Sequence, residues 1–164
     1  MKPSHRIITG LLAVLPFTAI GAGSPAHSAT QLNGADLPGV MARSLKEQRL
    51  LQAPDGKGGE TIVTRTTRAP GTRTPLHRHD YGGTTCVLEG EMTLYREGVA
   101  PKRAVAGQCY YMPANSEMAG VNTGTVNAVM LDIFQLPAGK PVWSVVEDKG
   151  KALQDQFDVH EHKH

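Results

Sequence analysis

Several things are scarce in this sequence, and each scarcity removes a class of function. Aromatic residues make up 5% of the chain, and there is a single tryptophan. The positive charge belongs to the N-terminus. Without residues 1–28 the chain loses Lys2 and Arg6 and no acid, which leaves fifteen basic residues against fifteen acidic ones. A neutral chain with scattered charges and few aromatics offers no surface that tracks a phosphate backbone, which argues against a nucleic-acid partner. Cysteine occurs twice, as Cys86 and Cys109. There is no Ser-His-Asp or Cys-His arrangement of the kind a hydrolase uses. Convincing helical periodicity is missing from residues 44–136, as are internal repeats and low-complexity segments.

The one long apolar run lies at the start. Lys2, His5 and Arg6 precede "IITGLLAVLPFTAIGAG", and Ala26-His27-Ser28 forms a small-x-small site. A basic region, a short apolar region and such a site make a secretory signal peptide, cleaved after Ser28, with Ala29 and Ala22 as alternatives. The competing reading is a membrane anchor. The run is short for a span of about 20 residues and is broken by Pro16 and several glycines. The expectation is therefore an exported protein, periplasmic or secreted, with no stable membrane insertion after cleavage. About 136 residues then remain, enough for one domain with its own core. In an oxidising compartment Cys86 and Cys109 form either a disulfide or a pair of buried thiols.

From residue 44 to 136 short alternating segments follow one another, including "ETIVTRTTRA", "TTCVLEG", "EMTLYRE", "QCYYMP" and "VNAVMLDIFQLP". Turn signals such as Pro54-Asp55-Gly56, Gly82-Gly83 and Thr123-Gly124 separate them. The pattern predicts an all-β sandwich or barrel. Residues 29–43 read as a loose N-terminal arm. Residues 140–164 read as a C-terminal segment, with Trp143 pinning part of it to the body.

Within "TPLHRHDYGGTTCVLEGE" two histidines stand one residue apart on a predicted strand, so His77 and His79 share a face. Gly71, His77, His79 and Gly90 fall in the register of the first cupin motif. Gly107, Pro113, Asn115, Met118 and Asn122 fall in the register of the second. The chain therefore resembles the cupin superfamily, as a small single-domain bacterial cupin, over about residues 45–139. The resemblance implies a double-stranded β-helix (jelly-roll barrel) over 44–139, with a metal at its mouth, and a homodimer. Two positions depart from the family pattern. Gly83, or Thr84 with the longer spacing, stands where a metal-binding Glu belongs, and Met118 stands where the third His belongs.

These departures make the implied site softer. Loss of the carboxylate disfavours hard cations, and a thioether favours soft ones. A His77, His79 and Met118 set thus favours copper, with iron, zinc, nickel and manganese as the other candidates. Such a site suits a metal-dependent oxidoreductase of dioxygenase type acting on a small organic substrate. The alternative is a non-catalytic cupin that binds a metal or small molecule, its enzyme site lost, with Met118 as core filler. In a third arrangement a bulge at Asn115 turns Glu117 inward, giving two His and one Glu. Tyr81, Gly83 and Tyr111 are the further candidates for cavity or substrate contacts. By parity Tyr111 faces the cavity and Tyr110 faces out, and Asp132 reads either as an inward acid or, the favoured reading beside Leu131 and Ile133, as a surface residue at the barrel edge. The alternating His160, His162 and His164 of the C-terminus read as a metal-acquisition arm or a solvated tail.

Overall fold

The computed structural model describes residues 30–148 and 150–151. The leader and the terminal histidines lie outside them. Fourteen strands follow in order: β1 (Gln31–Leu32), β2 (Ala35–Asp36), β3 (Val40–Met41), β4 (Lys46–Pro54), β5 (Gly59–Arg68), β6 (Thr72–Arg73), β7 (His77–Arg78), β8 (Gly83–Glu89), β9 (Glu91–Arg96), β10 (Lys102–Val105), β11 (Cys109–Met112), β12 (Met118–Val121), β13 (Ala128–Pro137) and β14 (Ser144–Val145). Five form one sheet in the order β11-β8-β13-β5-β4. Seven form a second, β10-β9-β12-β6-β3, with β7 pairing both β12 and β14. The pairs are antiparallel except for β3 with β6. Among the described residues no helix is long and apolar enough to cross a membrane.

Period-two alternation places the core between the sheets. On β5 the inward row is Glu60, Ile62, Thr64, Thr66 and Arg68. On β13 it is Ala128, Met130, Asp132, Phe134 and Leu136. Facing them are Met92 and Leu94 of β9, Ala104 of β10 and Met118 of β12, all in one buried cluster. Register is held by sharp turns. Gly90, between β8 and β9, has φ +71°, and a Cβ there would stand 2.8 Å from the Asn127 carbonyl oxygen. Asn115 has φ 60°, so asparagine replaces the motif glycine in a conformation it tolerates better than most residues.

The N-terminal arm is not loose. Asn33 and Gly34 both have positive φ, 55° and 77°, which suits the two-residue β1–β2 hairpin. The Asn33 amide donates to the Arg96 carbonyl and its oxygen accepts from the Gly98 N–H. Leu37 is buried against Leu76 and Ala119, and β3 adds itself to β6. The overlooked signal was the Asn-Gly dipeptide. The C-terminal strap docks as expected, with Trp143 buried at 2% exposure and Val145 paired with His77. Cys86 and Cys109 are ladder partners on β8 and β11 and form a disulfide. This resolves the choice between bridge and thiols.

Candidate functional site

His77 and His79 are both buried, at 4% and 3% exposure, and Arg78 between them points outward. Each ring is oriented by a backbone carbonyl. His77 Nδ1–H donates to the Pro75 oxygen at 2.8 Å, and His79 Nδ1–H donates to the Val142 oxygen at 2.6 Å. A carbonyl only accepts, so both protons sit on Nδ1 and both Nε2 atoms present lone pairs. Those two Nε2 atoms face each other at 3.2 Å. Three contacts therefore share the two protons that two neutral imidazoles carry. A cation between the Nε2 atoms, either a third proton or a metal ion, resolves the mismatch. Burial and then the neighbouring His79 pull His77 down to about 3. Burial likewise lowers His79. The rings thus resist a third proton at neutral pH.

The pair passes a simple test of fit to a metal. Two nitrogens bound to one tetrahedral ion at about 2.0–2.1 Å lie about 3.3 Å apart, close to the 3.2 Å here. Nδ1–H donation to a carbonyl is the usual second contact of a ligating histidine. What is missing is a protein acid. Among the described residues no group of three or more His, Cys, Asp or Glu gathers to hold a metal. The place of the family Glu is filled by an aromatic ring, since a Cβ on Gly83 would stand 2.6 Å from Phe134. That ring lies 5.0 Å from His79, and the Trp143 ring lies 4.8 Å from His77.

Both histidines line a cavity of about 50 Å³. Met118 is fully buried and is the ladder partner of His77, so the two side chains share a face. It is not among the cavity-lining residues, where the thioethers are Met92, Met112 and Met130. Gly83 does not open room for a substrate, because Phe134 and the Met112 methyl occupy that space. Glu117 is held outside the barrel in an ion pair with Arg78. The two-His, one-Glu arrangement is therefore not formed. Tyr81 is 42% exposed and borders an outer cleft with Lys57 and Gln135.

Parity on β11 is the reverse of the expectation. Tyr111 is 64% exposed while Tyr110 is buried and lines the cavity. The reason is the Cys86–Cys109 pair, which lies on the outer face and carries Tyr111 with it. Asp132 is likewise inward. Its oxygens accept from the Thr66 hydroxyl at 2.8 Å and the Thr85 hydroxyl at 2.6 Å. Both rows of β13 are apolar, so Leu131 and Ile133 gave the wrong parity. Met130 and Phe134, which flank Asp132 at two residues' distance, carried the right one. Burial raises the Asp132 carboxyl above the usual range, against the hydroxyls and Arg68, which lower it. Arg68, also on the cavity wall, went unnoticed because both faces of β5 mix polar and apolar residues.

Residues 64–134 match the family model described as Cupin domain. With the two-sheet architecture, the fold is that of a single-domain all-β protein, a double-stranded β-helix, within which residues 64–134 are similar to the cupin domain. No curated protein matches the chain. Among solved structures it is similar to a cupin-like protein of Thermotoga maritima, at 18% identity and TM-score 0.52, covering 68% of this chain and 82% of that one. An uncharacterized conserved protein of Klebsiella pneumoniae with a double-stranded β-helix domain is 17% identical, with TM-score 0.50 and coverage of 73% and 91%. The polyketide cyclase RemF of Streptomyces resistomycificus is 23% identical, with TM-score 0.51 and coverage of 66% and 77%. At these identities the likeness is one of fold, and the fold includes enzymes.

Proposed function

We propose that this protein binds one transition-metal ion through Nε2 of His77 and His79, with copper favoured. The observation that carries the reading is the 3.2 Å convergence of two lone pairs whose rings are locked by the Pro75 and Val142 carbonyls. Softness follows from the surroundings. No acid joins the histidines among the described residues, and thioethers are available from Met118, beside His77, and from the cavity wall. Bound there, such a metal supplies a Lewis-acid centre with open positions, as an oxidoreductase of dioxygenase type needs. The chain's own contribution is to fix the two imidazoles and to exclude bulk water with Trp143 and Phe134.

A second reading, a metal binder without turnover, is favoured by size. Pockets for drug-sized ligands run to about 300–1,000 Å³, and this cavity is about 50 Å³. Export and a homodimer belong to the same proposal. The disulfide suits an oxidising compartment, and exposed Leu45, Leu50 and Leu51 on or beside edge strand β4 suit a subunit contact. Cell fractionation and sedimentation of the untagged protein check these two points.

Elemental analysis of untagged protein tests the metal. One equivalent is expected in the wild type and none in His77→Ala/His79→Ala. Metal kept by that double variant and lost on truncation after Phe157 would move binding to the terminal histidines and overturn the barrel site. Competition between Cu(I) and Zn(II) decides the preference, and a Zn(II) preference would defeat copper.

A further inference from the structure

Arg68 is as buried as the histidines, at 4% exposure, and lies on the wall of the same cavity. A guanidinium brings five donors, and this one spends a single hydrogen bond, from Nη1 to the Ala42 carbonyl at 3.0 Å. No carboxylate of the described residues lies within ion-pair distance of it, although Asp132 and Glu47 are close enough to interact through space. The one described side-chain polar atom that is sealed in without a partner is Arg73 Nε. The remaining Arg68 donors are therefore not sealed in, and Arg68 lines the cavity. A buried cation with open donors calls for an anion.

We infer that the cavity binds a short-chain monocarboxylate, its carboxylate on Arg68 and its alkyl end against Met92, Leu94 and Met130. Three observations narrow the class. A single guanidinium matches one negative charge, not the two of phosphate or sulfate. The polar wall carries further hydroxyls, Tyr110 among them, while the apolar wall is made of thioethers, Leu94 and the Phe134 and Trp143 rings. The volume of about 50 Å³ corresponds to about three to five water-sized groups, the size of formate, acetate or propionate. Asp132 forms no ion pair with the cation, and its oxygens accept instead from the Thr66 and Thr85 hydroxyls. The site shares the cavity of the proposed metal centre but none of its ligands, so each stands or falls alone.

Calorimetric titration of the full chain, freed of metal with a chelator, tests it with formate, acetate and benzoate as probes. Saturable binding of formate and acetate is expected, with none of benzoate. Arg68→Gln should weaken acetate by about tenfold or more, as loss of charged hydrogen bonds does, and Arg68→Lys should restore part of it. A second variant covers the case in which Arg68→Gln does not fold. A Cβ on Gly120 would meet only the flexible Met92 methyl at 3.3 Å and the Tyr110 hydroxyl at 3.7 Å. Gly120→Ala should therefore fold, keep formate and lose acetate. Absence of saturable acetate binding, or equal acetate affinity in folded Arg68→Gln or in Gly120→Ala, overturns the site. Metal uptake without acetate binding would defeat this site and leave the metal reading intact, and the converse result would do the opposite.

Discussion

Two buried arginines of this protein face carboxylates, one half-buried and one buried, and the pairs are built in opposite ways. Arg73 reaches Glu147 through both Nη atoms, at 2.8 and 2.9 Å, and Glu147 also accepts from Thr30 and from the Leu76 N–H. That junction ties the N-terminal arm and the C-terminal strap to β6. Burial alone would raise Glu147, but these donors outweigh it and hold the carboxyl at about 2. Arg68 and Asp132 instead stand apart on the cavity wall, the acid held by two hydroxyls and the cation by one carbonyl. A two-pronged ion pair marks the first as a clamp, with only Arg73 Nε left over. Unspent donors mark the second as a place where something else can bind.

The largest expected effect lies at the clamp. Glu147→Gln leaves Arg73 buried without a counter-charge and should cost about 3 kcal/mol in urea unfolding, the low end for a broken buried pair. The pH dependence has a definite sign. The folded carboxyl sits below its ordinary value of 4.5, so its contribution is complete above 4.5 and is lost as pH falls towards 2. The variant should lack that acid-side loss, and an unchanged urea midpoint would remove the distinction between the pairs.

An intermediate effect is expected at Glu47, whose charge also acts on Arg68. Burial raises its carboxyl from 4.5 to about 7, against the Ser44 hydroxyl. Here the sign reverses. The protonated form suits the folded state, so stability should fall as pH rises from 4.5 through 7. Between pH 5 and 8 the loss should be about 1–2 kcal/mol after allowance for solvent screening, and Glu47→Gln should flatten it. A wild-type curve as flat as the variant's would show that Glu47 is solvated.

The smallest effect should come from Asp132→Asn. An amide still accepts from one hydroxyl, and the other hydroxyl can turn to accept from it, so the change should cost less than about 1 kcal/mol. A loss comparable to that of Glu147→Gln would mean that Asp132 works as the ionised partner of Arg68. The two pairs would then be alike.

Much of this was legible in the linear chain. The cupin register of Gly71, His77, His79, Gly90, Gly107 and Pro113 carried the fold, because motif glycines mark turns that few other residues can make. Strand alternation put His77 and His79 on one face. Parity failed where both faces of a strand are apolar or where a covalent link decides the face. Leu131 and Ile133 hid the inward Asp132, and the Cys86–Cys109 bridge sent Tyr111 outward. The missing Glu at Gly83 was visible as an absence. That Phe134, 51 residues away, fills its place was not.

The sequence by itself thus determined an all-β barrel and a pair of imidazoles turned to one face, since period, turn chemistry and motif spacing are local. Tertiary structure decided what surrounds them. Only the docked strap brings the Val142 carbonyl to His79 and Trp143 to His77, and only the pairing of β5, β8 and β13 sets Thr66 and Thr85 on Asp132. Protonation, softness and free donors depend on neighbours in space, and those neighbours come from segments tens of residues apart.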